Sequence, residues 1–548
     1  MLARLGFGVA TSDALGQGEG QRWMHSLALN WRLVHTEIKM RARRLSSLIA
    51  FLLTVVLMWQ MIVDPKSGNS LLVVEHARVA YTSAALAMGS VTLLSLLMAF
   101  VGFYLVRGRS TQDLQLGLGY VIAATPVTAR ALLWGRLCGG VLYLGLLVLG
   151  AMFSVMLLQL VRGEGAIHVS DYLSTYALIA LPSIVGAVSF AILFDSIPFL
   201  MGRKGDVLYF FIWVFQASLG AMIAESMHGR IGFPLLLVFD SSGLIVNMMN
   251  LSVHLHSAVT SNGVTHYDPN LPVVVVTTMS WGAKAISLRL MTAGLNLLPW
   301  LLASFLFHRY SPDRLKNATA ALGLSFVGRI NRRLRFLTVT LQPMLRWAAR
   351  HPGALSRVVA EVALSLIATP IAIIGIPLAL LFSAILPTQA LPSFAAATLA
   401  LWGIMICEIS ARDARSGIAG MNAIARGGMR DRIVRQGAAS IFLGVLMTSV
   451  ILVRWCFAMP LVVCTLILGV ICLAMLASAL GSLTNTSRAF LAIFLFWLYI
   501  ATQATDLPVL DLLGFNLSAN LRTLTLQIAI LVCSGLALSW HVHRKERT

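Results

Sequence analysis

Side chains that could carry out chemistry are few in this sequence, and the clearest group combines imidazoles with one carboxylate. His254, His256, His266 and Asp268 follow one another along a single polar stretch. Such groups bind zinc in many proteins, but their spacing here matches no recognised zinc pattern. We therefore expect a solvated loop at this place, without a metal site.

Three carboxylates, those of Asp195, Glu361 and Glu408, fall near the ends of apolar segments. A carboxylate at membrane depth is a functional candidate by default, whereas one at a helix end can reach water or a nearby arginine. We favour the second interpretation for all three. Apart from them, we expect the interiors of the apolar segments to lack acidic and basic residues.

The lysines of the chain exclude a phosphate-binding loop. Such a loop needs Gly-x-x-x-x-Gly-Lys-Ser/Thr, so that backbone amides and the lysine hold the phosphates. None of the lysines follows a glycine; they are Lys39, Lys66, Lys204, Lys284, Lys316 and Lys545. We therefore expect no cofactor on this chain, and any ATP must be bound by a partner subunit.

The elements that position these residues are predicted to be membrane helices. Hydrophobic residues make up 58% of the chain and charged residues 11%, against about 25% charged in ordinary globular proteins. Apolar runs of about 18 residues or more recur, each long enough to cross a hydrocarbon core of ~30 Å. They are apolar on all sides, which is typical of helices. The predicted fold class is an all-α polytopic membrane protein with about twelve transmembrane helices.

The predicted spans form two halves of six helices. The predicted domains are a cytoplasmic arm (1–44), a first half (45–308) containing a long outer segment (225–287), a basic linker (309–357), and a second half with a short tail (358–548). The spans themselves are predicted at 45–63, 81–106, 137–161, 171–194, 207–224, 288–308, 359–386, 393–408, 437–453, 457–481, 489–504 and 521–540.

The formal net charge of +20 is explained by topology. All but eight of the 41 lysines and arginines fall on one side of the predicted spans. By the positive-inside rule that side is the cytoplasm, and it holds both termini. We therefore expect no nucleic-acid partner. The predominance of arginine over lysine favours a bacterial plasma (inner) membrane.

The arm before the first span has an amphipathic pattern. Leu27, Trp31, Val34 and Ile38 recur at helical spacing. The pattern predicts a helix in the cytoplasmic headgroup layer, with the lipid bilayer as its partner. The basic residues predicted to face away from the apolar side are Arg32, His35, Lys39, Arg41, Arg43 and Arg44.

An internal duplication is indicated by the loops that follow the second span of each half. A constant shift of 300 residues aligns identical residues in the two loops. They are Ser110 with Ser410, Asp113 with Asp413, Gly117 with Gly417, Ala123 with Ala423, and Arg130 with Arg430. Because each half has an even number of spans, the two copies would be parallel, with a pseudo-two-fold axis along the membrane normal.

The first of these loops ends in Ala124-Thr125-Pro126-Val127-Thr128-Ala129-Arg130, followed by Leu132, Leu133, Gly135 and Arg136. Pro126 starts or interrupts a helical turn, and Thr125 can cap the next one. The segment resembles the inner loop of ABC-2-type permeases, the membrane subunits of ABC exporters, which typically reads Thr-Pro-Val-Ser-Arg, some apolar residues, then Gly-Lys. An ordinary turn between two spans, with arginines placed by the positive-inside rule, is the alternative.

The resemblance implies that this loop is a coupling helix that docks on a separate ATP-hydrolysing subunit, present as two copies or as a heterodimer. The second half has Ala425-Arg426 in place of Thr-Pro, followed by two glycines. Because glycine adds flexibility, we expect the two loops to couple unequally. The residues implied in coupling are Thr125, Pro126, Arg130 and Arg136 in the first half, and Asp413, Arg426 and Arg430 in the second.

Three classes of function remain open. The first is the permease subunit of an ATP-driven exporter, which is not itself an enzyme. A twelve-helix secondary transporter is the second, and it would need an ionisable residue inside the membrane. A membrane-embedded transferase is the third, and it ranks last because the first outer loop lacks a closely spaced acidic pair.

Overall fold

The computed structural model describes residues 19–65, 68–115, 118–226, 232–256, 260–307, 334–369, 371–409, 411–412, 428–503 and 508–547. The chain divides into two compact units. The first comprises Met1–Ile197 and Val214–Arg314, and the second comprises Pro198–Trp213 and Leu315–Thr548. The Asp413 and Arg426 sites lie outside the described residues.

Most described residues are helical. The first unit contains α1 (Glu19–Ala42), α2 (Leu45–Met61), α3 (Ser83–Val106), α4 (Arg109–Gln115), α5 (Leu118–Ala124), α6 (Ala129–Arg162), α7 (Val169–Ser196), most of α8 (Arg203–Ser226), α9 (Leu244–Leu255), α10 (Ala283–Asn296) and α11 (Leu298–Leu306). The second contains α12 (Gln342–Arg350), α13 (Ala354–Ala368), α14 (Ile371–Ile385), α15 (Leu391–Ile406), α16 (Gly428–Cys456), α17 (Pro460–Thr484), α18 (Arg488–Gln503) and α19 (Leu521–Arg547).

The predicted membrane character is supported. Within the described residues, nine helices are long and apolar enough to cross a bilayer, or up to eleven if each of two bent helix pairs forms one span. The predicted span 489–504 corresponds to α18. With 16 residues, this helix is shorter than the nine helices counted above. The third span begins at Ala129, eight residues before its predicted start at 137, because Thr128 caps it by accepting a hydrogen bond from the Ala131 amide.

In each of the two bent pairs, a less apolar helix precedes an apolar one. α1 and α2 meet at 72°, and α13 and α14 meet at 101°. The predicted single span 359–386 is therefore divided between α13 and α14, and its crossing of the membrane as one broken span stays a prediction. The sequence explains the second bend: Thr369 precedes a proline and has φ −130°, outside the helical region.

A small sheet modifies the all-helical prediction. β1 (Asn69–Val74) pairs in antiparallel fashion with β2 (Ala77–Arg78) and with β3 (Thr260–His266), in the order β2-β1-β3. The predicted outer segment thus contains a strand as well as the short helix α9. We call the end of the first unit that carries this sheet the sheet end, and the opposite end, where α3 stops and α6 starts, the cluster end.

Residues 235–255 contact the middle of α3 and of α7, and we call them the re-entrant segment. The Ser95 hydroxyl of α3 donates to the Ser242 carbonyl, and the Ser183 hydroxyl of α7 donates to the Ser241 carbonyl at 2.8 Å. Ser95 lies about 18 Å along α3 from its first residue, at 1.5 Å per residue. Because the hydrocarbon core is ~30 Å thick, residues 241–242 reach about the middle of a membrane that α3 spans.

We expect Gly469→Ala to destabilise the second unit by more than about 2 kcal/mol, because overpacking against rigid backbone is costly. Gly469 lies in α17, where an added Cβ would collide with the carbonyl oxygen of Leu512. Gly145 of α6 is the matched control, since nothing lies within 4 Å of its added Cβ. Thermal unfolding in detergent should show a lower midpoint for Gly469→Ala and an equal or higher one for Gly145→Ala. Equal midpoints would contradict this packing.

Candidate functional site

A buried carboxylate organises the cluster end of the first unit. Glu37 is 6% exposed and lies on the side of α1 that packs against α6. Its Oε1 is 3.6 Å from Arg41 Nη2, 3.7 Å from Arg109 Nε and 3.9 Å from Arg136 Nε. Gly139 permits the close approach of the two helices, because a Cβ there would lie 2.6 Å from the Cβ of Glu37.

A second carboxylate joins the loop to α6. Asp113, on the short helix α4, accepts from Arg136 Nη2 at 2.7 Å and pairs with Arg109 Nη2 at 3.2 Å. Arg136 Nη1 also donates to the Ser110 hydroxyl at 3.0 Å. We call Glu37, Arg41, Arg109, Asp113 and Arg136 the Glu37 cluster. It connects α1, the loop after α3, and the start of α6.

The ends of α3 and α7 join the same region. Arg41 Nη1 donates to the Val106 carbonyl, one of the last of α3. The Gly108 amide donates to Asp195 Oδ2 at 2.8 Å, and Arg107 Nε lies 3.7 Å from Asp195 Oδ1. Charged groups thus hold five segments together, namely α1, α3, α4, α6 and α7, in a region that is almost closed to water.

The charge balance of this region favours the ionised form of Glu37. Burial of Glu37 raises its pKa, but the guanidinium groups of Arg41, Arg136 and Arg109 outweigh burial and hold the pKa below its ordinary value. The stability that ionised Glu37 contributes is therefore present above its unfolded pKa of about 4.3. It is lost as the pH falls through the lower pKa of the folded state.

The second unit contains a similar arrangement. Glu361, on α13, is 3% exposed and bonds to Arg412, which follows α15. Arg435 of α16 lies 3.2 Å from the other carboxylate oxygen of Glu361. We call Glu361, Arg412 and Arg435 the Glu361 cluster. In both units, a buried glutamate on the helix before an apolar helix meets one arginine from a later loop and one from the start of a long helix.

The predicted coupling residues have different environments. Pro126 is exposed on the turn before α6, Arg130 is exposed in the first turn of α6, and Arg430 is exposed at the start of α16. The expectation that Thr125 caps the next helix is wrong: its hydroxyl donates to the Ile122 carbonyl, and Thr128 is the cap. Arg136 is buried within the Glu37 cluster, so its guanidinium is bound inside the chain rather than presented to a partner.

The segment predicted to be an interfacial helix is helical, and its position in a headgroup layer stays a prediction. Trp31 is 65% exposed, Ile38 is partly buried, and Val34 is buried with Glu37 and Arg41 against α6. Leu27 lies within the same helix. The prediction that Arg41 faces away from the apolar side of the helix is wrong, because Arg41 is buried on the same side as Val34. The spacing of Val34, Glu37 and Arg41 could have revealed this buried face, since these positions share one side of a helix.

The polar stretch with three histidines shows no metal geometry. His254 Nδ1 contacts the Asn250 carbonyl at 2.9 Å and its Nε2 contacts the Ser280 hydroxyl at 3.1 Å. His266 lies in β3, and Asp268 accepts from the Asn270 amide at 2.9 Å. Among the residues that the structure describes, no cluster of three potential metal ligands occurs.

The expectation that apolar helices lack interior charge is wrong for α10. Arg289 is 1% exposed and donates to the carbonyls of Leu178, at 3.1 Å, and Asp240, at 2.6 Å. Pro182 lacks the amide that would bond the Leu178 carbonyl in α7, so the arginine takes its place. Asp240 in turn accepts from the amides of the first turn of α9, at 2.8 Å for Ile245. Arg289 therefore anchors the re-entrant segment.

A similar contact anchors a loop in the second unit. Gln527 of α19 donates through Nε2 to the Thr465 carbonyl of α17 at 2.8 Å and to the Leu512 carbonyl at 2.7 Å. Asp511, in the same loop, accepts from the Asn516 amide at 3.2 Å. Gln527 is the seventh residue of α19, as Arg289 is of α10.

In each unit, an arginine near the end of a long helix also caps the end of a neighbouring helix. At the end of α6, Arg162 Nη1 donates to the Ile62 carbonyl just after α2. At the end of α16, Arg454 Nη1 donates to the carbonyls of Ser383 and Leu386, at the end of α14, at 2.7 Å each. These groups satisfy carbonyls that helix ends leave without partners.

Comparisons with protein-family models, with curated proteins and with solved structures gave no match. Function is therefore inferred from the residues of the chain and their geometry.

We expect Glu37→Gln to lower the stability of the chain by about 3 kcal/mol at pH 7, because it leaves buried arginines without their shared carboxylate. Glu225→Gln, at an exposed glutamate of α8, is the control. The difference in stability between wild type and Glu37→Gln should be largest at neutral pH and should decrease below about pH 4. Thermal unfolding across pH tests this, and a difference that is constant with pH would contradict it.

We expect Arg289→Ala to expose the re-entrant segment, because the carbonyls that it binds lose their donors. Hydrogen exchange of residues 235–255 should accelerate by about 30-fold, which corresponds to about 2 kcal/mol. Arg289→Gln should restore part of the protection, since glutamine performs the corresponding task in the second unit. Arg522→Ala, at an exposed arginine of α19, is the control. Unchanged exchange in Arg289→Ala would contradict the anchoring role.

Proposed function

We propose that this chain is the membrane permease subunit of an ATP-driven exporter of the ABC-2 type. One chain would supply two parallel six-helix halves, with both termini in the cytoplasm of a plasma membrane. ATP would be bound and hydrolysed by a separate pair of subunits, and the chain itself would carry no cofactor.

Three recurring contacts support the duplication. The Glu37 and Glu361 clusters are alike, Arg162 and Arg454 bind the ends of corresponding helices, and Arg289 and Gln527 anchor corresponding loops. In both units these contacts follow the same order along the chain. A duplicated and fused six-helix protein accounts for this order, and parallel copies would present both loops on the same side of the membrane.

The Glu37 cluster is the observation that carries the coupling proposal. The exposed turn with Pro126 lies between α5 and α6. Arg130 follows in the first turn of α6, shortly before the buried Arg136 that binds Asp113. A partner that moves this turn would move α4 and α6 together. Glu37 would transmit that movement to α1, and closure of the ATPase subunits would then rock the helices of the first half.

A secondary transporter is the second candidate, and the charges of Arg289 and Asp240 favour it. Such a carrier needs an ionisable group inside the membrane. Arg289, however, donates to several carbonyls, and Asp240 accepts from a series of amides. Groups bound in this way serve as anchors, so the ATP-driven class is supported better.

Affinity purification of the tagged chain from its native membrane, in mild detergent, tests this proposal. A nucleotide-binding subunit should co-purify with the wild type. Arg130→Glu should reduce its recovery by about tenfold or more, as expected when one opposed charge pair costs about 1.4 kcal/mol. Arg430→Glu should have a smaller effect, and the exposed Arg522→Glu should have none. A chain that purifies alone, although the partner is expressed, would contradict the ATP-driven class.

A further inference from the structure

An open cavity of about 740 Å³ lies where α12, α13 and α16 meet in the second unit. Arg357 of α13 and Asp431 of α16 provide its charged walls. Its volume is in the range of small-molecule sites. The lining residues are Ala348, Ala349, His351, Pro352, Gly353, Ser356, Arg357 and Asp431.

The neighbouring helices have the bend and the residue types expected of helices at the level of lipid headgroups. α13 is bent by 101° from α14. If α14 crosses the bilayer, α13 therefore runs close to the membrane plane. α12 is amphipathic and exposes Arg346, Trp347 and Arg350, the residue types of interfacial helices. The cavity opens beside these side chains.

A break in the helix creates the cavity. In the first unit, α1 continues without interruption past Leu33, which packs at Gly135 of α6. In the second unit, Pro352 and Gly353 separate α12 from α13. Gly353 cannot cap α13 with a side chain, so the amides of the first turn lack a side-chain acceptor there.

The charge of the cavity suits an anion. Arg357 Nε donates to the Gly353 carbonyl at 3.1 Å and Nη1 pairs with Asp431 at 2.6 Å, yet the arginine side chain is still 46% exposed. Asp431, the acidic residue of the lining, is also 3.9 Å from Arg435. Arginine thus neutralises the carboxylate, and the partial positive charge at the start of α13 adds to the attraction of an anion.

We propose that this cavity binds the phosphate of an anionic phospholipid headgroup, with Arg357 and the first turn of α13 as its main donors. The ligand chemistry, a phosphate monoanion, is shared by soluble phosphates. The position beside an amphipathic helix, at the end of a bent pair, favours the lipid. The site is absent from the first unit, where the corresponding helix is unbroken.

Lipid titration of the purified, delipidated full chain tests the proposal, with thermal stabilisation as the signal. Phosphatidylglycerol should stabilise the wild type, whereas phosphatidylcholine should not. Arg357→Gln should weaken the apparent affinity at least tenfold. Ala349→Phe fills the cavity without a change of charge, so it should also weaken the apparent affinity at least tenfold. This variant keeps the test valid even if Arg357→Gln fails to fold. Arg346 lies on α12 but outside the cavity lining, so the apparent affinity of Arg346→Gln should stay within twofold of wild type.

Two outcomes would overturn the proposal. Equal losses of affinity for phosphatidylglycerol in Arg357→Gln and Arg346→Gln would show that the lipid is attracted to a basic surface in general and not to the cavity. Inorganic phosphate that saturates at millimolar concentration and abolishes the effect of phosphatidylglycerol would assign the cavity to a soluble phosphate instead.

Discussion

The hydrogen-bonding demand of the backbone in a membrane is the constraint on which this structure depends. Hydrocarbon offers no partner to a carbonyl at a helix end or beside a proline, so the protein must supply one. Here, long polar side chains from neighbouring helices do so. Arg162, Arg454, Arg289 and Gln527 each donate to carbonyls of another segment. Each contact fixes the position of one helix end or loop relative to a neighbouring helix.

The two glutamate clusters apply the same principle to charge. A buried carboxylate is tolerated only when it is paired, and several arginines around one glutamate make the position of each helix dependent on the others. A region of this kind resists independent movement of its parts. In an ATP-driven exporter, that property is required between a cytoplasmic loop and the spans, because a loop that moved alone would transmit no work.

Much of the fold could be predicted from the sequence, because apolar runs determine which segments enter a membrane. The predicted span 81–106 agrees closely with Ser83–Val106. The errors have local causes. Thr128 rather than Thr125 caps α6, since either of two neighbouring threonines could supply the capping hydroxyl. The proline after Thr369 follows the first half of a largely apolar run, and apolar composition alone does not mark the bend there. The site was harder to predict, because pairing of Glu37 or Arg289 depends on residues about a hundred positions away, and composition does not record such contacts.

Membrane topology is the most direct test of the central claim that the two units are parallel copies with both loops facing the cytoplasm. Single cysteines would replace Arg130, Arg430, Arg162 and Arg454 in a background free of the six native cysteines. Each would then be labelled with a membrane-impermeant maleimide in intact cells and in inverted vesicles. The account predicts labelling of positions 130 and 430 from the cytoplasmic side, and of 162 and 454 from the other side. Labelling of 130 and 430 from opposite sides would contradict it, because a cytoplasmic ATPase could not then engage both loops.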